Sequence, residues 1–282
     1  MSPDHGSDDE QVALWNGPAG HAWVAEQPLL DRMYTGIEAL LVDAVPAGFA
    51  GRVLDVGCGT GSTTLAVARR LGPGGRCIGI DISEPMTDLA RLRAARDGAR
   101  AEFIRANAQD HAFEAASLDR ILSRFGVMFF GDPVAAFSNL RHASRDDASV
   151  RLVVWRSAAE NPFMTAAERA AGPLLPNLPP RRPGAPGQFA FADPERVRGV
   201  LDQSGWTAIE IAPIDVVCVF PEAELVGHFT SLGPVGMALQ QSDALTRARV
   251  IEAVRPAFDA FVHGADVRFT AACWQVDARA DD

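Results

Sequence analysis

Between Arg52 and Gly61 the chain reads RVLDVGCGTG, which sets a carboxylate, Asp55, just ahead of the alternating glycines Gly57, Gly59 and Gly61, with Cys58 between the first two. Glycine lacks a Cβ, so a turn of this kind can take positive φ and bring backbone N–H groups close to a ligand, at the electropositive start of a following helix. A dinucleotide asks for G-x-G-x-x-G; here the third glycine comes one place early. Asp55 would repel a pyrophosphate, but it can orient the loop or hold a cationic ammonium group. A second carboxylate, Asp81, closes the apolar run RCIGID (76–81). At a strand tip beside the glycine turn, such an acid can accept hydrogen bonds from both hydroxyls of a ribose. Capping the next helix is the competing role, and Ser83 is better placed for it.

Groups that could move a proton are less well marked. His21, His111, His142, His228 and His263 each stand alone in the sequence, and a base is needed only where an acceptor must lose a proton. His111 and His228 are favoured because they fall near the expected crevice and its cap. Cys58, Cys77, Cys218 and Cys273 are widely spaced with no CxxC pattern, so they read as buried small residues rather than nucleophiles, disulfides or zinc ligands. No carboxylate cluster suited to a metal stands out, and none is expected. Arg124 lies among apolar neighbours in SRFGVMFFGDP (123–133) and needs an acceptor for its charge.

Periodicity supplies the elements that must hold these groups. Val53, Leu54 and Val56 form a short β-branched run typical of a strand buried on both faces, and residues 62–71 follow with helical spacing. Further strands are expected at 76–81, 101–105, 118–122 and 149–155, separated by helices at 84–95 and 134–143. Strand and helix in alternation predict a doubly wound parallel sheet with right-handed crossovers, whose ligands collect outside the carboxyl ends of the strands.

Upstream, the first eleven residues are polar and acidic and are expected to fray. Residues 12–25, with Trp15 and Trp23 around a Gly/Pro break, and 28–45, with the only tyrosine, Tyr34, precede the first strand; the latter has its aliphatic residues at helical spacing. Downstream, GPLLPNLPPRRPGAPG (172–187) excludes regular structure. A helix over 193–204 starts with Asp193 as cap and Pro194 in its first turn. Strands are then expected at 206–211, 215–220 and 266–276, with a largely helical stretch at 221–264. The division that results is an N-terminal lid (1–48), a ligand-binding core (49–160), cap insertions (161–192 and 221–264), and segments completing the sheet (193–220 and 265–282).

Composition narrows the class. Hydrophobic residues at 48% and charged residues at 22% are ordinary for a globular protein. A formal charge of −10 and the lack of any lysine oppose a nucleic-acid partner, which requires a basic face. With no 18-residue apolar run and no charged-then-apolar leader, membrane insertion and secretion are not expected and the cytoplasm is the default. A homodimer stays open.

VLDVGCGTG (53–61) closely resembles the first motif of class I S-adenosylmethionine-dependent methyltransferases, and SRFGVMFFGDP is similar to the segment after the fourth strand in ubiquinone- and menaquinone-type methyltransferases and their small-molecule relatives. The likeness is specific over residues 50–155 and holds elsewhere in outline. It implies a Rossmann-like α/β sheet of seven strands, the last antiparallel, with a mostly helical cap. It also implies that Asp55, Gly57, Cys58 and Gly59 lie along the methionine moiety of S-adenosylmethionine, with Ile82 and Met86 near the adenine. Asn107 stands where the family often has an acid; its amide oxygen can accept from the adenine amine, followed by Ala108 and Gln109, with Asp110 as the alternative. Ser123 would offer its carbonyl to the ammonium group, while Arg124, Phe125 and Met128 face the methyl or its acceptor. Trp15 and Trp23 either form a lid, with Tyr34 pointing into the site, or pack the sheet edge. The implied activity is methyl transfer to a small, apolar or aromatic acceptor by proximity and desolvation, leaving S-adenosylhomocysteine. Rival readings are a dehydratase or pericyclase using the same cofactor, a nicotinamide dehydrogenase, and a noncatalytic binding module.

Overall fold

The computed structural model describes residues 5–182 and 184–281, with side chains from residue 8 onward. Residues 1–4 of the leader, Pro183 of the irregular stretch and Asp282 lie outside the described residues. Helices α1 (His5–Asn16), α2 (Pro18–Ala25), α3 (Gln27–Met33) and α4 (Thr35–Asp43) lead into the sheet. Proline in the first turn starts α2 and α3, where its missing N–H has no intrahelical partner to lose. Contrary to expectation, the leader is helical from His5. Its end is tied down: Ser83 Oγ donates to the Trp15 carbonyl at 2.6 Å, Asn16 Nδ2 donates to Ile82 O at 3.1 Å, and Asn16 Oδ1 accepts from Glu84 N at 2.8 Å.

The central units are β1 (Arg52–Val56), α5 (Ser62–Arg70), β2 (Arg76–Asp81), α6 (Glu84–Asp97), β3 (Ala101–Arg105), β4 (Leu118–Arg124), α7 (Pro133–Ala143) and β5 (Ser144–Trp155). Helices α8 (Pro162–Ala171) and α9 (Pro194–Gln203), strand β6 (Thr207–Pro221), helices α10 (Leu225–Ser231), α11 (Gly233–Gln240) and α12 (Ala244–Val254), and strands β7 (Val262–His263) and β8 (Asp266–Arg279) complete the chain. The sheet runs β3-β2-β1-β4-β5-β8-β6, with short β7 paired to β8. Neighbours from β3 through β5 are parallel, and β8 is antiparallel to both β5 and β6. The order reverses direction between β1 and β4, which places the binding crevice outside their carboxyl ends.

Two boundaries differ from the sequence reading in ways that matter. Strand β4 continues to Arg124, so Ser123 and Arg124 belong to the strand and not to the loop after it. The two strands expected at 206–211 and 215–220 are one strand, β6, paired with β8 along its length despite Pro213. β6 is the outermost strand, so a residue without an N–H is tolerated there.

The cap is fastened rather than loosely appended. Asn161, buried ahead of α8, donates through Nδ2 to Ala272 O at 2.9 Å and accepts at Oδ1 from Ala272 N at 3.0 Å. Phe163 follows and stacks on Phe269 of β8 with ring centres 3.9 Å apart. Within the irregular stretch, Gly187 N donates to Met128 O at 3.0 Å, joining the cap to the turn after β4. No helix among the described residues is long and apolar enough to cross a membrane.

Candidate active site

The carboxyl ends of β1, β2 and β4 open into a cavity of about 890 Å³ that runs from the glycine turn to the cap. Its lining includes Gly57, Gly59 and Asp81, with Arg124 and Phe125 at the tip of β4 next to the glycine turn, and Tyr34, Trp155, Phe163 and His228. Trp15 and Trp23 of α1 and α2 also line it, with ring centres 6.0 Å apart in an edge-to-face pair.

The glycine turn follows from two steric facts. Gly57, at φ +67°, lies so close to the turn after β4 that a Cβ would sit 2.5 Å from Gly126 Cα. A Cβ on Gly59, at φ +53°, would meet only Met86 Sδ, at 3.7 Å, so the missing side chain leaves room on the cavity side. The N–H groups, expected to face a ligand, are instead committed within the fold. Those of Gly57 and Cys58 donate to Ile80 O at 2.9 and 3.1 Å, that of Gly59 to Asp81 Oδ2 at 2.8 Å, and that of Gly61 to Cys58 O at 2.9 Å. The turn folds back over the tip of β2, so it offers the cavity shape rather than donors.

Asp81 is the hub here. Besides Gly59, it accepts from Ser83 N at 2.9 Å through Oδ1. Burial raises its pKa, and the N–H groups of Ser83 and Gly59 pull it back down. Each carboxylate oxygen keeps capacity for a further hydrogen bond. Ser83, not Asp81, caps α6, accepting from Met86 N at 3.5 Å.

The other expected binding residues divide in two groups. Ile82, Met86, Asn107, Ala108 and Trp15 line the cavity together with Gly57, Gly59 and Asp81. Asp55, Cys58, Gln109 and Ser123 do not. Asp55 is fully buried and accepts from Thr64 Oγ1 of α5 at 2.6 Å; burial pushes its pKa up to about 7. Cys58 turns its thiol over Gly79 of β2, where a Cβ would come within 2.8 Å of the sulfur, and burial raises the thiol pKa. Ser123 Oγ donates to Val56 O at 2.8 Å and accepts from Gly126 N at 3.1 Å, so it stitches β4 to β1 and to the following turn. Gln109 is a strut: Nε2 donates to Asp8 Oδ2 at 2.9 Å and Oε1 accepts from Asp132 N at 2.8 Å. Asn107 lines the cavity with its Oδ1 already accepting from Gln109 N at 3.0 Å.

The rest of the lining is largely aromatic, and beside it Arg124 Nη1 and His228 Nδ1 are buried without hydrogen-bond partners. Phe125 holds φ +65°, an uncommon conformation for a bulky residue, and its ring stacks on Trp155 at 4.6 Å. Tyr34 meets Phe125 edge-on at 5.4 Å, and burial drives its hydroxyl pKa far above the ordinary value. The Arg124 guanidinium lies 5.7 Å from the centre of the Tyr34 ring, and Nη1 is buried without a hydrogen-bond partner. His228 stacks against Phe163 at 5.7 Å with Nδ1 buried and unpartnered, and burial lowers its pKa to about 4. His111 does not line the cavity; its ring packs edge-on against Phe113 at 4.6 Å. His21 Nδ1 bonds to Gly17 O at 2.8 Å within its own helix turn. Sequence reasoning missed Trp155 and Phe163. Trp155 had a usable signal, as the last residue of a parallel strand, whereas Phe163 comes from a cap helix whose packing no local pattern specifies.

Over residues 53–147 the chain matches the family described as "Methyltransferase domain". Nocamycin O-methyltransferase of Saccharothrix syringae is 30% identical over 203 residues, covering 68% of this chain and 72% of that protein. Aklanonic acid methyltransferase DauC of Streptomyces sp. (strain C5) is 33% identical over 106 residues, 37% of this chain and 48% of the relative. Among solved structures, the YcgJ protein of Bacillus subtilis superposes with a TM-score of 0.57 at 17% identity, covering 87% of this chain and 98% of that one. Geranyl diphosphate C-methyltransferase from Streptomyces coelicolor A3(2), in complex with Mg2+, geranyl diphosphate and S-adenosyl-L-homocysteine, does so with 0.51 at 16% identity, covering 88% and 80%. At such identities the structural likeness speaks to fold alone.

Proposed function

Because the chain belongs to the class I S-adenosylmethionine-dependent methyltransferases, we propose that it methylates a small apolar or aromatic molecule held between the cap and the strand tips. One observation carries this reading: a single cavity joins the glycine turn and Asp81 to a wall of stacked aromatic rings. The relatives named for nocamycin and aklanonic acid support a small-molecule acceptor.

The residues present suit the cofactor. Gly59 leaves the space a Cβ would fill, and Asp81 lines the cavity with acceptor capacity to spare for ribose hydroxyls. Ile82, Met86 and Ala108 would pack the base, with Asn107 offering its amide. S-adenosylmethionine supplies a methyl group already activated by the sulfonium charge. The work left to the protein is to bind, to orient and to exclude water. Phe125, Trp155 and Phe163 give a flat acceptor surfaces to stack on, while Trp15 and Trp23 cover the cavity from the lid. Orientation and desolvation of this kind lower a displacement barrier by about 7–11 kcal/mol. His228 lines the cavity with its pKa lowered to about 4 by burial, which leaves it a weak proton acceptor.

Incubation with S-adenosylmethionine labelled in the methyl group and a panel of aromatic and polycyclic acceptors tests this directly. Label recovered in an acceptor is the expected result. An acceptor converted without label identifies the dehydratase or pericyclase type instead, and calorimetry showing no binding of S-adenosylhomocysteine overturns the cofactor assignment for this cavity.

A further inference from the structure

The charged groups around the cavity differ in how they are satisfied. Asp81 has its carboxylate bonded to two backbone N–H groups, and Asp55, which feels the charge of Arg124, is turned to Thr64 and stays off the cavity surface. Arg181, another cavity arginine, pairs with Glu168 at 2.6 Å and covers Phe189. Arg124 has neither arrangement. Among the described residues it makes no ion pair, its Nη1 is buried without a partner, and its guanidinium lies over the face of Tyr34 at 5.7 Å.

A guanidinium stays protonated in proteins, so this site cannot neutralise itself as a lysine could. Contact with an aromatic face offsets only part of the cost of burying such a charge. A carboxylate is the group that best matches its fork of donors. The surrounding rings, with Phe125 stacked on Trp155, favour a flat apolar body next to the cation. His228 places a second unpartnered nitrogen on the same cavity, suited to a further polar group.

We propose that the acceptor is a flat apolar anion whose acidic oxygen, a carboxylate or an ionised enol or phenol, is held by Arg124 against the Phe125–Trp155 stack. This rests on the methyltransferase reading and narrows its acceptor class. Arg124 is therefore a specificity residue: it selects ionised acceptors over neutral molecules of the same shape. The same cation could instead serve the carboxylate of the cofactor's own amino-acid portion, and the experiment separates the two.

Titration calorimetry of the full chain, saturated with S-adenosylhomocysteine, would compare 2-naphthoate with its neutral isostere 2-naphthamide. The expected result is naphthoate bound about tenfold or more tighter, as for a hydrogen bond to a charged group. In Arg124→Gln the preference should fall to about twofold or less while affinity for S-adenosylhomocysteine changes by less than about threefold. Equal affinity for the two probes, or no binding of either to protein that binds S-adenosylhomocysteine, overturns the proposal and leaves the methyltransferase reading intact. A variant that loses S-adenosylhomocysteine but keeps the naphthoate preference also overturns it, by assigning Arg124 to the cofactor. Should Arg124→Gln fail to fold, the wild-type comparison decides alone. Protein that binds no S-adenosylhomocysteine contradicts the underlying function rather than the charge preference.

Discussion

The glycine turn of the cavity and its aromatic wall are built on opposite rules. In the glycine turn the N–H groups of Gly57, Cys58, Gly59 and Gly61 all have partners, and Asp81 and Asp55 each accept from a neighbour. Around Arg124 and His228 polar atoms are buried without partners among aromatic rings. The first arrangement is rigid before any ligand arrives, as suits a ligand common to a whole family. The second is completed only by what binds, as suits an acceptor that differs from one relative to the next.

The contrast can be broken from either side. The largest effect is expected at Asp55. Its folded pKa, about 7, lies above the ordinary carboxylate value, so its contribution to stability is full below about pH 4 and is lost as pH rises through 7. Relative to Asp55→Asn, the wild type should lose about 3 kcal/mol between pH 4.5 and 8, read by urea unfolding at the two values. A difference that stays flat with pH would mean the carboxylate is ionised in the fold.

Gly57→Ala follows, with a destabilisation of about 3 kcal/mol from positive φ and from contact with the Gly126 backbone. Gly59→Ala should destabilise less and register chiefly as weaker binding of S-adenosylhomocysteine; equal effects at the two positions would remove the steric distinction drawn between them.

At the aromatic wall the sign of pH dependence inverts. The His228 pKa is depressed to about 4, so its contribution is present above pH 6.5 and lost as pH falls toward 4. Wild type should therefore lose about 3 kcal/mol relative to His228→Phe over that interval, the opposite slope to Asp55. Asp81→Ala should weaken S-adenosylhomocysteine by about 1.5–3 kcal/mol in calorimetry, and unchanged affinity would exclude it from the cofactor site. Smallest is Ser83→Ala, which removes a helix cap and the bond to the Trp15 carbonyl, at about 1 kcal/mol in thermal unfolding.

Much of the glycine turn could be read without coordinates. The strand-turn-helix of 52–70, the acid closing β2, and the caps Ser83 and Asp193 depend on short-range patterns: glycine spacing, apolar runs and capping residues; the antiparallel last strand was implied by the family resemblance alone. Such patterns constrain the backbone locally, so Gly57, Gly59 and Asp81 could be placed at strand tips from sequence.

Which way each side chain faces was decided elsewhere. Asp55 and Cys58 sit in the same motif as Gly57 and Gly59, yet one turns to Thr64 and the other packs over Gly79, because β1 is flanked by α5 and β2 in three dimensions. The aromatic wall depended still more on tertiary structure. Tyr34, Arg124, Trp155 and His228 come from four distant parts of the chain and meet only because the sheet order brings the ends of β4 and β5 together and Asn161 pins the cap to β8. The sequence by itself determined the sheet, its tips and the glycine turn; the convergence of an unpaired cation with a wall of rings arises from long-range packing, which no local pattern encodes.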